Sequence, residues 1–111
     1  MTEPDWLTDD TRALLGALVS LDDVDEAALF LRDLCTLGEL RDMSQRWAVV
    51  RLLDAGMHYG EISRRTGAST ATITRIASWL HHGQGGYQRM LARLAERSQT
   101  GMPPYPSGTE R

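Results

Sequence analysis

Apolar residues recur along the chain at intervals of three and four, the period of an α-helix, and no stretch alternates as a half-buried strand would. The pattern resolves into six helices. The first is predicted over residues 9–20, with Thr8 as N-cap and Leu14, Leu15, Leu18 and Val19 as its apolar stripe. The second starts near Asp22 and carries Val24, Ala27, Ala28, Leu31 and Leu34 on one side, with Leu29 and Phe30 extending the apolar surface almost all round. Such a helix needs burial on nearly every side, and 111 residues enclose little interior, so a partner subunit is expected to cover part of it.

Thr36-Leu-Gly-Glu39 has the spacing of a capping box, in which a hydroxyl and a carboxylate each satisfy an orphan amide of the first turn. A third helix is predicted from there to residue 55, with Leu40, Met43, Trp47, Val50 and Leu53 inward and Gly56 as a left-handed C-cap. The fourth, residues 59–66, is too short to persist alone and needs tertiary support. Gly67 ends it, Ser69 caps a fifth helix reaching residues 79–82, and Gly83-Gln84-Gly85-Gly86 separates that from a sixth over residues 87–97. The expected organisation is one all-α domain over residues 9–97, a flexible arm at 1–8 and a disordered tail at 98–111, where three prolines and two glycines cluster.

Two short helices joined at a glycine form a helix-turn-helix when their apolar positions let them cross and share a core. Ile62 precedes Gly67, Ala68 follows it, and Ile73, Ile76, Ala77 and Leu80 make one inward stripe on the fifth helix. At about 100° per residue the opposite face is centred on Ala71, Arg75, Ser78 and His82, flanked by Thr74 on one side and by Thr72 and Trp79 on the other. Small side chains there would allow close approach to base edges, hydroxyls could meet phosphates or bases, and Arg75 could bind phosphate or guanine. Spacing alone fits a solvated surface equally well.

The net charge of −3 conceals a segregation. Residues 1–42 hold eleven acids against three arginines, whereas residues 43–111 hold nine arginines against four acids. With a Debye length of about 8 Å at physiological ionic strength, acids farther than that from a bound phosphate are largely screened, so the basic half remains compatible with nucleic acid. The longest apolar run, residues 27–31, falls far short of the ~20 that span a bilayer, and a lone Cys35 suits a reducing compartment, so a cytoplasmic location is expected. No paired carboxylates, nucleophile motif or metal constellation indicates an enzyme. His81 and His82 are adjacent and diverge on a helix, and the glycine run lacks the Lys-Ser/Thr of a phosphate loop.

The sequence Gly67-Ala-Ser-Thr-Ala-Thr-Ile-Thr-Arg75 resembles the recognition-helix motif of the Trp repressor family and its YerC/YecD-type relatives. Asp33-Leu-Cys-Thr36, Gln45-Arg-Trp47 and Gly86-Tyr-Gln88 resemble the same subgroup, so the likeness spans roughly residues 12–97. It implies a six-helix Trp-repressor-like fold and an intertwined dimer whose two recognition helices, about one DNA turn or roughly 34 Å apart, meet a palindromic operator. It implies a repressor or regulator, of a metabolic operon, with Thr70, Ala71 and Thr74 near bases and Thr72 and Arg75 near phosphate or corepressor. Ser69 and Ser78 complete the expected DNA-binding surface; Arg64 and Arg65 are expected to supply phosphate attraction, and one of them to take over the base readout of the family's first-helix arginine, where Gly60 stands here.

A second departure concerns the effector. The family's motif arginine is followed by a glycine that leaves room for an indole, whereas Ile76 follows Arg75 and Trp79 stands three residues on. These side chains are expected to fill the slot, which argues against tryptophan as corepressor and leaves either self-ordered heads or a different small-molecule effector, an amino acid or related metabolite. The competing reading is a dimeric adaptor whose helix-turn-helix contacts protein, against which the arginines on and beside the outward face weigh.

Overall fold

A computed structural model describes residues 4–99, which contain six helices and no strand. Two compact units are distinguished, one over residues 4–34 and one over residues 35–99 of the described chain. No described helix is long and apolar enough to cross a membrane. Residues 1–3 of the expected arm and 100–111 of the expected tail lie outside the described residues.

The first unit holds α1 (Asp9–Val19) and α2 (Val24–Leu34). Thr8 caps α1 by accepting the Thr11 amide at 3.1 Å, and Asp9 and Asp10 place negative charge in its first turn, where the helix dipole favours it. α2 opens two residues later than its apolar pattern suggests. The Asp23 carboxylate accepts the Glu26 amide at 2.8 Å and the Glu26 carboxylate accepts the Asp22 amide at 3.1 Å, so Asp22 and Asp23 form the cap, outside the helix. Neither helix buries a single residue within the chain; Val19 is 85% exposed and Leu29 73%.

In the second unit, α3 (Leu37–Asp54) begins at the expected capping box, with the Glu39 amide donating to Thr36 Oγ1 at 3.1 Å and the Thr36 amide to Glu39 Oε1 at 2.8 Å. It ends in a Schellman motif. The Met57 amide donates to the Leu52 carbonyl and the Gly56 amide to the Leu53 carbonyl, with Gly56 at φ +82°. α4 (Tyr59–Thr66) and α5 (Thr70–His82) pack on α3 and on each other, and α6 (Gly86–Gln99) closes over α3 and α5. Their shared core is Val49, Val50, Ile62, Ala68, Ile73, Ile76 and Leu80, with Trp47, Leu52, Leu53, Met57, Tyr87 and Leu91 packed around it. Fully burying each of the larger members stabilises the fold by about 1.5–3 kcal/mol.

Two expectations are corrected here. The inward face of α3 includes Val49, which is wholly buried, while Met43 is 39% exposed and Leu40 only half-buried, so the buried stripe lies toward the C-terminal half of the helix. The last helix runs to Gln99, two residues past its expected end, so residues 98 and 99 are helical and not part of a tail. Gly83, which follows α5, is required by close packing, because a Cβ there would sit 2.4 Å from the Trp79 carbonyl oxygen.

Candidate nucleic-acid interface

The turn between α4 and α5 is knit by short bonds. The Gly67 amide donates to the Ser63 carbonyl at 2.8 Å, the Thr66 hydroxyl donates to the Ile62 carbonyl at 2.8 Å, and the same hydroxyl accepts the Ala68 amide at 3.2 Å. Gly67 is left-handed at φ +79°, a conformation that costs an L side chain about 1–2 kcal/mol. Ala68 is buried immediately after it, which pins the start of α5 to the core.

Ser69 caps α5, accepting the Thr72 amide at 3.1 Å, and its hydroxyl pairs with the Thr72 hydroxyl at 3.0 Å. Beyond the cap the helix divides sharply. Ile73, Ile76, Ala77 and Leu80 are buried, while Thr70, Ala71, Thr74, Arg75 and Ser78 are exposed together on the other side. The inward stripe read from the sequence is therefore the buried one. Thr74 donates its hydroxyl to the Thr70 carbonyl at 2.9 Å, a back-bond within the helix on its exposed side. Thr72 differs from its neighbours in being half-buried, held in the cap.

On α4, Arg64 and Arg65 are both exposed and both pair with Glu61: Arg64 donates to Glu61 Oε2, and Arg65 Nε lies 3.7 Å from the same oxygen. Solvent-exposed pairs of this kind contribute roughly 0–1 kcal/mol, so a phosphate can readily take the place of the carboxylate. Glu61 carried no role in the sequence reading.

Between α3 and α5 lies an open groove of about 300 Å³, lined by Asp42, Gln45, Arg46, Thr72, Arg75, Ile76 and Trp79. Ile76 and Trp79, the two side chains expected to fill the effector slot, both line this groove. Ile76 is 1% exposed because it packs into the core, and Trp79, 45% exposed, borders the groove without closing it. Two guanidinium groups and one carboxylate in the walls give the groove the charge to hold a small ionic molecule.

Gln45 is the other residue that sequence reasoning left without a role, although it stands in one of the motifs that carry the family likeness. Its side-chain amide donates to the Thr66 carbonyl at 3.0 Å, bridging α3 to the end of α4. In the same way Gln88 of α6 donates to the Leu80 carbonyl of α5 at 2.7 Å, and the rings of Trp47 and Tyr87 meet at 6.2 Å. A glutamine on a helix surface reads as solvated unless its three-dimensional neighbour is known.

Residues 9–95 match the family model described as Trp repressor protein. The chain is 41% identical over 83 residues to the uncharacterized protein YerC of Bacillus subtilis, a match covering 75% of this chain and 80% of YerC. Among solved structures it is similar to a TrpR-like protein from Eubacterium eligens, with 41% identity, a TM-score of 0.80, and coverage of 83% of this chain and 96% of that one. It is also similar to a protein from Staphylococcus aureus described as a candidate Trp repressor, with 32% identity, a TM-score of 0.76, and coverage of 86% and 96%.

Proposed function

Because the chain belongs to the Trp repressor family, in its YerC-type subgroup, we propose that it is a cytoplasmic, sequence-specific DNA-binding regulator that acts as a homodimer. The observation that carries this reading is the two-sidedness of α5: four buried aliphatic residues anchor it, and its opposite side exposes Thr70, Ala71, Thr74, Arg75 and Ser78, with Trp79 and His82 exposed toward its C-terminal end. A helix so built can enter a major groove without steric conflict while its core face stays fixed.

In this reading Thr70, Ala71 and Thr74 approach base edges, with Ser69 and Ser78 at the two ends of the contact. Arg64, Arg65 and Arg75 meet phosphates, exchanging the Glu61 pairing for charge-assisted bonds to the backbone. Thr72 serves the cap and the groove. Exposed leucine and valine on α1 and α2 support a second copy as the partner that covers them, and two-fold symmetry then sets the half-sites of a palindromic operator about one helical turn apart. The groove between α3 and α5 is the natural seat of an effector, an amino acid or related metabolite, through which the protein represses a metabolic operon.

Selection of bound duplexes from a random pool by the purified chain tests the reading. An enriched palindrome, bound by a species of twice the chain mass, is the expected result. Recovery of no sequence preference, with binding absent even at low salt, would leave the protein-contacting alternative as the better account.

A further inference from the structure

The bonds within the turn tie it to α4 itself, whereas Gln45 ties it to α3, 21 residues earlier in the sequence. The carbonyl it holds, that of Thr66, belongs to the last turn of α4, where helical geometry supplies no donor. Gln45 Nε2 also lies 3.8 Å from where a Cβ on Gly67 would stand, so the amide rests against the residue at which the chain changes direction. The same side chain forms part of the groove wall with Thr72 and Arg75 of α5. One side chain thus meets the end of α4 and the hinge glycine, and lines the groove that α5 borders.

Resting on the DNA-binding reading above, we infer that Gln45 is a positioning residue: its amide fixes the direction in which α5 leaves Gly67 and so holds Thr70, Ala71 and Thr74 in register with a duplex. An eight-residue helix such as α4 has little persistence of its own, and its orientation follows the contacts made at its ends. Base readout depends on hydrogen-bond geometry, which a small rotation of α5 destroys. Phosphate attraction tolerates the same rotation, because it varies slowly with distance. Removing the Gln45 donor therefore separates the two.

The experiment uses the full chain, dialysed free of small molecules, and compares Gln45→Leu and Gln45→Met, which keep similar bulk but lack the donor. Affinities are measured for a duplex selected from a random pool and for a scrambled duplex of equal length, across a salt series. Amide hydrogen exchange is followed in the free protein. Both variants are expected to lose about tenfold or more in affinity for the selected duplex, the effect of leaving one part-buried acceptor without its donor. The scrambled duplex and the salt slope should be unchanged, and exchange at Gly67 and Ala68 should quicken while that at Ile73 and Ile76 does not.

Equal losses on both duplexes would mark Gln45 as a contributor to stability alone and overturn the inference, as would full affinity for the selected duplex in both variants. If the unaltered chain discriminates between no duplexes, the DNA-binding reading fails and the positioning role falls with it. The behaviour of the unaltered chain thus separates that failure from the failure of Gln45.

Discussion

Gln88 of α6 donates its side-chain amide to the Leu80 carbonyl of α5 at 2.7 Å, joining the last helix to the C-terminal turn of the helix proposed to read DNA. Leu80 is itself a core residue, so this bond anchors the point where α5 enters the interior. Gln88→Ala leaves the carbonyl without that donor and is expected to destabilise the fold by about 1–3 kcal/mol. Urea unfolding at fixed protein concentration checks this; a midpoint equal to that of the unaltered chain would mean that water replaces the amide at no cost.

Gly67→Ala should cost about 1–2 kcal/mol, and the penalty is one of backbone conformation. The nearest atom to an added Cβ is Gln45 Nε2 at 3.8 Å, an ordinary contact, so steric crowding adds little. Gly67→Asn should be milder, since asparagine tolerates the left-handed region. Thermal unfolding of the two variants side by side tests the ordering, and an alanine variant as stable as the asparagine one would contradict it.

Arg75→Ala should weaken binding to selected and scrambled duplexes alike and reduce the slope of log affinity against log salt by about 1, as expected for one lost phosphate contact. A change confined to the selected duplex would instead assign Arg75 to base readout.

Leu29 is 73% exposed within one chain, and a charge at that position is tolerated only if it stays exposed in the assembly. Leu29→Glu is expected to raise the dimer dissociation constant by about a hundredfold or more, through the cost of burying an unpaired carboxylate at an interface. Sedimentation equilibrium reads the shift to monomer. An unaltered dimer would place the interface elsewhere.

Local chemistry made much of the fold legible from sequence. Thr36 with Glu39, Gly56, Gly67 and Ser69 each mark a helix end through bonds that reach no farther than a few residues, and all five perform as their spacing implies. The buried stripe of α5 was equally readable because its apolar positions are separated from polar ones. α3 was harder. Leu37, Leu40, Met43, Trp47, Val49, Val50, Leu52 and Leu53 surround the helix, so periodicity does not single out the side that the core takes, and Val49 escaped notice.

The candidate site shows the same division. The exposed face of α5 follows from its periodicity, but Gln45–Thr66 and Gln88–Leu80 connect different helices and leave no local trace in the sequence. Ile76 carried two expectations, core residue and groove filler. The structure gives it both places: it belongs to the buried cluster with Val49 and Ile62 and also stands in the groove wall.

Thr74 commits its hydroxyl hydrogen to the Thr70 carbonyl, and under the proposed reading this limits the vocabulary with which α5 would address a base pair. What the side chain has left to offer is oxygen lone pairs and a methyl group. Its complements in a major groove are the exocyclic amino groups of adenine and cytosine and the C5 methyl of thymine, whereas the purely accepting edge of guanine finds no proton there.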